Sequence, residues 1–292
     1  MAVSRLKKVV LGSMVVAGLV ALLALVYIIA EPPSESAKRL ELPARGVCAH
    51  RGARDTHPEN TLAAFREAVR LGAHMIEFDV RLTKDGDPVV IHDPTVDDTT
   101  NGSGRVTSMT LAELRRLDAG SWKGPQFKGE RVPSLDEVLE MMPQNIWLNV
   151  HVKGYATLGE KTARALVAHG RVHQAFLACN EEAARPAKEV EPSIMICNME
   201  RPEDSTELDY VHDTLRRKSQ FIQLHRKIDE ASFKSLKEEG VRINFCCTSD
   251  AEKLRALFRS GVEFPLVDHT SAMLDVADEL GIPRLKPIYR PR

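Results

Sequence analysis

The stretch Ile76-Glu77-Phe78-Asp79-Val80-Arg81-Leu82 alternates apolar and polar side chains without a break. In a β-strand that period puts Glu77, Asp79 and Arg81 on one face and Ile76, Phe78, Val80 and Leu82 on the other. Two carboxylates on one strand face repel each other unless a cation lies between them, and a hard divalent ion is the usual answer. Downstream, Asp85-Gly86 is a two-residue hairpin signal, because a type I′ turn needs positive φ at both central positions. Pairing Lys84 with Asp87 across such a turn sets Leu82 opposite Val89 and Asp79 opposite His92, returning an imidazole to the acids.

The same alternation recurs in Ile146-Trp147-Leu148-Asn149-Val150-His151-Val152-Lys153, where Asn149, His151 and Lys153 share a face. Around these two segments the chain reads as strands at 46–50, 75–82, 146–153, 175–180, 194–199, 221–225, 242–248 and 264–268. Helical stretches separate most of them, as at 61–71, 134–142, 158–168, 229–239 and 250–260. Eight strands alternating with helices predict an α/β protein of the closed (β/α)8 TIM barrel class over 45–292. In such a barrel the apolar strand faces pack on the helices, and polar residues at strand C-termini gather at the mouth. Lys153 is thereby placed to meet a phosphate or developing negative charge. Strand parity also nominates Asn198, Gln223, His225, Asn244, Thr248 and Asp268 as inward-facing. His225 and Asp268, at strand ends, are the better prospects for substrate contact; His57, His74, His173 and His212 receive no role. Residues 93–133 form a small insertion after the second strand, with a short helix near 111–117 and a loop holding Trp122, Pro125 and Phe127. Long insertions after a barrel strand overhang the site, so this one is expected to act as a substrate cap.

Ahead of the barrel, residues 9–30 carry no charged side chain and as a helix would span roughly 33 Å. Arg5, Lys7 and Lys8 precede the run and Glu31 follows it, so the positive-inside bias leaves the N-terminus in the cytoplasm. A single-pass transmembrane anchor at 1–30 is expected, with 31–44 as a proline-rich linker and the barrel extracytoplasmic. The rival is a cleaved signal sequence, whose apolar region is shorter, about 7–15 residues. Net charge over the 292 residues is −1, so no basic footprint points to nucleic acid. Cysteines at 48, 179, 197, 246 and 247 fall on predicted strands in odd number, reading as small buried hydrophobes rather than a disulfide framework.

Taken together, His50-Arg51-Gly52, Pro58-Glu59-Asn60-Thr61, Glu77-x-Asp79, Asp85-Gly86, His92-Asp93, Thr99-Thr100-Asn101-Gly102-x-Gly104 and Asp118-Ala119-Gly120-Ser121-Trp122 resemble the glycerophosphodiester phosphodiesterase family. The likeness is dense from about Arg45 to Lys153 and thinner to about Asp268. It implies metal-dependent hydrolysis of glycerophosphodiesters to glycerol 3-phosphate and an alcohol through a cyclic phosphate. His50 and His92 are then the catalytic base and acid, an imidazole having an ordinary pKa of about 6.5. Arg51 and Lys153 bind phosphate, Glu77 and Asp79 hold Ca2+ or Mg2+, and Glu59 supports them.

One departure stands out. The family usually places a glutamate where this chain has His151, in a Glu-x-Lys pair. Imidazole is a poor ligand for hard Ca2+ or Mg2+ and suits Zn2+ or Mn2+ better. His151 is nonetheless expected as the third metal ligand. A lesser departure is Cys246 where the family often has Trp. Two other functions compete: a phospholipase D-like activity on lysophospholipids, and a catalytically silent barrel that binds phosphodiesters.

Overall fold

The computed structural model describes residues 40–201 and 204–289. The expected anchor at 9–30 and most of the 31–44 linker lie outside the described residues. Among the described residues no helix is long and apolar enough to cross a membrane.

The alternating segments pair as the barrel reading requires. In chain order the strands are β1 (Cys48–His50), β2 (Met75–Leu82), β3 (Pro88–Val90), β4 (Trp147–Val152), β5 (Ala175–Cys179), β6 (Met195–Asn198), β7 (Phe221–Leu224), β8 (Arg242–Thr248) and β9 (Phe264–Val267). The nine-stranded sheet runs β1-β9-β8-β7-β6-β5-β4-β2-β3, and a further β1–β2 pairing closes it. Only β3 is antiparallel, so eight parallel strands make the barrel. Around it lie α1 (Leu62–Leu71), α2 (Leu111–Leu114), α3 (Leu135–Met141), α4 (Ala156–Ala168), α5 (Glu181–Val190), α6 (Glu207–Arg216), α7 (Glu230–Glu238), α8 (Ala251–Arg259) and α9 (Thr270–Glu279).

Side-chain parity separates two cores. Outward residues of β2 and β4, among them Ile76, Phe78, Leu148 and Val150, pack with Phe65, Leu139 and Leu166 of the helices. Inward residues at strand beginnings, Met75, Trp147, Phe176, Phe221 and Phe264, fill the barrel. Phe176 stacks on Phe221 at 3.9 Å between centroids, with Trp147 edge-on to Phe221 at 5.5 Å. Each such side chain, fully removed from water, contributes about 1.5–3 kcal/mol. This plug occupies the lower barrel and leaves the polar ends of the strands for chemistry. Helix ends are chemically marked: Thr61 accepts from Ala64 N–H at the start of α1, and Gly72 closes it at φ +86°.

The C-terminal segment straps the lower face. Leu285 N–H donates to Gly72 O at 2.9 Å, His74 Nε2 donates to Pro283 O at 2.9 Å and Asn145 Nδ2 donates to Lys286 O at 2.8 Å. His74 is therefore a buried structural link, although the sequence places it in a loop without a role.

Three expectations need correction. The hairpin pairs Val80 with Val90, Arg81 with Val89 and Leu82 with Pro88, which shifts the expected register. Thr83 is the cause. Its Oγ1 accepts from Asp87 N–H at 2.8 Å and donates to Asp85 Oδ1 at 2.6 Å, leaving Lys84, Asp85 and Gly86 as a longer loop. Asp79 consequently faces Ile91, whose N–H it receives at 3.0 Å, and His92 lies beyond the end of β3. Second, Asn198 turns to α6, donating to Thr214 Oγ1 at 3.1 Å, because the inward position of β6 belongs to Cys197. Third, Cys246 and Cys247 are joined in a disulfide and partly exposed, whereas Cys48, Cys179 and Cys197 are free and buried as expected.

Candidate active site

β2 carries two carboxylates out of water, Glu77 at 2% and Asp79 at 1% exposure. Asp79 Oδ2 accepts from Asn60 Nδ2 at 3.1 Å, while Asn60 Oδ1 accepts from the Asp79 N–H at 3.3 Å. Asp79 Oδ1 lies 3.2 Å from His151 Nδ1 and 3.3 Å from Lys153 Nζ, yet no well-formed hydrogen bond reaches this buried atom. Burial alone would raise the Asp79 pKa, but His151, Lys153 and His92 outweigh it and hold the carboxyl well below the usual range. His151 moves the other way: burial alone would lower it, and Asp79 with Glu77 raise it.

Glu77 is held from the turn that follows β1. Its Oε2 accepts the Arg51 N–H at 3.0 Å, a bond available because Arg51 takes the left-handed conformation at φ +57°. Gly52 follows at φ +80°, where a Cβ would lie 2.8 Å from Ala64, so α1 packs directly on this turn. Glu77 Oε1 is 3.8 Å from His151 Nδ1, and ligand atoms of Glu77, Asp79 and His151 all lie within 4.8 Å of one another. Two buried anions with an orphaned oxygen and a ring nitrogen fit a divalent cation.

The two histidines have matching supports. His50 Nδ1 is 2.7 Å from Asp268 Oδ1, and His92 Nδ1 is 2.7 Å from Asp93 Oδ1. A carboxylate can only accept, so each Nδ1 carries the proton and each Nε2 is the ring nitrogen left for proton transfer. His50 Nε2 lies 3.9 Å from Glu77 Oε2, which puts this ring beside the candidate cation site. Asp268 is held below the ordinary carboxylate range, first by its bond to His50 and then against burial by Arg54. Asp268 thus supports His50 rather than standing free for substrate.

Glu59 lies among arginines rather than among the candidate ligands. Its two oxygens meet Arg51 Nη1 and Arg54 Nη2, each at 2.7 Å. Arg54 Nη1 continues to Asp268 Oδ1 at 3.1 Å. A chain of charge therefore links Arg51, Glu59, Arg54, Asp268 and His50. Arg54, Asn60 and the supporting role of Asp93 have no periodic signal. Only their place within the His50-Arg51-Gly52, Pro58-Glu59-Asn60-Thr61 and His92-Asp93 motifs marks them.

The 93–133 insertion is not a solvated connection. Val96, Val106, Leu114, Ala119 and Val132 pack with Val89 and Ile91 into a core of their own. It reaches the mouth through Lys123 Nζ, which donates to Arg54 O at 2.6 Å, and through Phe127, whose ring sits 4.8 Å from that of His57. Trp122 is 43% exposed. His225, just beyond β7, is pushed down to about 4, first by loss of solvation and then by Arg201 and His151.

A TIM barrel with paired carboxylate-backed histidines, cationic side chains and an acid–imidazole cluster at one mouth has the parts of an acid–base hydrolase for an anionic ester. The comparisons with known proteins agree with it. Residues 50–173 match the model of the glycerophosphoryl diester phosphodiesterase family. The chain is 36% identical over 232 residues to the Bacillus subtilis protein YhdW, covering 76% of this chain and 94% of that one. It is 33% identical over 247 residues to a glycerophosphodiester phosphodiesterase of Caldanaerobacter subterraneus subsp. tengcongensis, covering 80% of this chain and 98% of the relative. Among solved structures, an Oleispira antarctica phosphodiesterase in complex with the product sn-glycerol-3-phosphate superposes with TM-score 0.70 at 29% identity, covering 81% of this chain and 97% of that one. The chain belongs to the glycerophosphodiester phosphodiesterase family, whose members are phosphoric diester hydrolases.

Proposed function

We propose that the protein hydrolyses glycerophosphodiesters to glycerol 3-phosphate and an alcohol in a metal-dependent reaction. The observation that carries this reading is the convergence of His50, Glu77, Asp79, His151 and Lys153 within one set of side-chain contacts. Glu77, Asp79 and His151 would hold the divalent cation. When bound, such an ion neutralises charge on the non-bridging phosphate oxygens. Lys153 adds a second positive charge beside Asp79.

His50, with Nδ1 tied to Asp268, takes the proton from the glycerol hydroxyl next to the ester. That oxygen attacks phosphorus and expels the alcohol, which His92 protonates, leaving a cyclic phosphate. Water then opens the ring with the roles of the histidines reversed. Arg51, positioned by Glu59, faces the phosphate. The cap residue Trp122, at 43% exposure, offers an apolar surface beside the mouth.

A cavity of about 760 Å3 lies between α7 and α8, with an apolar wall at Ile228, Phe233, Phe245 and Leu257 and charged side chains such as Arg226 and Lys253 along the rest. Its apolar wall supports a second substrate, a lysophospholipid whose acyl chain would lie along it. The apolar run at 9–30 supports a membrane-anchored enzyme with an extracytoplasmic barrel and 31–44 as its spacer. Turnover of glycerophosphocholine and of a lysophospholipid tests the function. Release of glycerol 3-phosphate should require a divalent ion and fall by about 10²–10⁴-fold in His50→Ala and in His92→Ala. Full activity in both variants would refute it.

A further inference from the structure

The thiol chemistry of β8 meets the acid–base chemistry of β1 at a single point. Cys247 Sγ lies 3.7 Å from His50 Nδ1, and ligand atoms of His50, Cys246 and Cys247 all fall within 4.8 Å of one another. All three residues are partly exposed at the mouth. Asp268 Oδ1 is 2.7 Å from the same His50 nitrogen. Two sulfurs, an imidazole nitrogen and a nearby carboxylate oxygen form a donor set for a soft, tetrahedral cation, unlike the Glu77–Asp79 cluster on the Nε2 side of the ring. The remaining cysteines cannot serve, since Cys48, Cys179 and Cys197 are buried.

We propose that Cys246 and Cys247, once reduced, form with His50 an inhibitory site for a thiophilic divalent cation of the Zn2+ or Cd2+ class. In the disulfide form neither sulfur is a thiolate and the site is closed. Reduction adds two electrons and two protons to the disulfide, giving two thiols, while a phosphine reductant takes the oxygen of a water molecule and becomes its oxide. The cation then replaces the two thiol protons and takes His50 Nδ1, whose proton moves to Nε2. That tautomer has no free Nε2 lone pair, so His50 can no longer accept a proton from substrate. Cation binding at this site does not depend on the proposed reaction. Only its inhibitory consequence rests on His50 being the base.

Cd2+ is the probe, because thiolate-to-cadmium charge transfer gives an ultraviolet band that carboxylate and imidazole ligation does not. The full-length chain is reduced with a phosphine, freed of reductant and titrated with Cd2+ in excess Mg2+. One equivalent of band should develop, and hydrolysis should fall roughly tenfold or more in step with it. The oxidised chain and the Cys246→Ser/Cys247→Ser variant should show neither effect, each compared with its own cadmium-free rate. The oxidised chain needs no substitution, so it serves as a control even where the variant folds poorly. His151→Ala should keep the band, and His50→Ala should weaken cadmium binding by roughly tenfold. No band in the reduced chain, or a band that survives loss of both cysteines, overturns the site. An unchanged affinity in His50→Ala removes His50 from it. Because the band is read without substrate, failure of the hydrolase reading leaves this result distinct.

Discussion

Asp268 does for His50 what Asp93 does for His92. Both carboxylates sit 2.7 Å from an Nδ1 and leave the opposite nitrogen for chemistry. In Asp268→Asn a neutral amide replaces the charge that stabilises the protonated ring, with little change in shape. The expected result is a fall in kcat of roughly 10²-fold with KM nearly unchanged, measured by steady-state kinetics. An equal loss in KM would instead make Asp268 a substrate contact. His151 poses the other question at this scale. It stands beside both acids, where a third carboxylate would add a negative charge to the cation site. His151→Glu is expected to shift metal preference toward Mg2+ or Ca2+ and away from Zn2+ or Mn2+, read by calorimetry on the purified chain. His151→Ala should weaken metal binding by about 10–100-fold. Unchanged affinity in His151→Ala would make the ring a filler of the barrel interior.

Among elements, the barrel strands were the most legible. β2 and β8 have the limits that the sequence implies, and the other barrel strands differ by a residue or two at their ends. The hairpin after β2 departs from its expected register because Asp85-Gly86 carries only a local turn preference, while Thr83 supplies competing side-chain bonds. The Cys246–Cys247 pair was missed because adjacent residues on a regular strand point to opposite faces. The link between β1 and the C-terminal strap was invisible too, since His74 meets Val47 and Pro283 only after the barrel closes. Its Nδ1 accepts the Val47 N–H at 3.1 Å and its Nε2 donates to Pro283 O at 2.9 Å, which requires the neutral ring. Burial chiefly lowers its pKa. Between that lowered value and the unfolded value of about 6.5 the unfolded chain binds more protons, so stability rises with pH there. The contribution is present above about pH 6.5 and is lost as pH falls toward the folded value. His74→Ala should cost about 2–4 kcal/mol at about pH 8 in urea unfolding, with the gap to the parent narrowing below about pH 6. A gap independent of pH would show that the ring contributes packing alone.

For the whole molecule, the expected compartment follows from the N-terminal charge pattern: Arg5, Lys7 and Lys8 precede the uncharged 9–30 run and Glu31 follows it. Three positive residues on one flank, with an acid on the other, favour retention of that flank in the cytoplasm and translocation of everything after Ala30. The run also exceeds the apolar region of a cleaved signal, and Ile28 and Ile29 ahead of Ala30 are bulky where a cleavage site wants small residues. In cells carrying the full-length chain with a tag at each end, externally added protease should remove the C-terminal tag and spare the N-terminal one, and the chain should sediment with membranes. A protected C-terminal tag would place the barrel in the cytoplasm and overturn the topology. Recovery of a soluble chain beginning near Glu31 would turn the anchor into a signal sequence, leaving the barrel on the same side of the membrane.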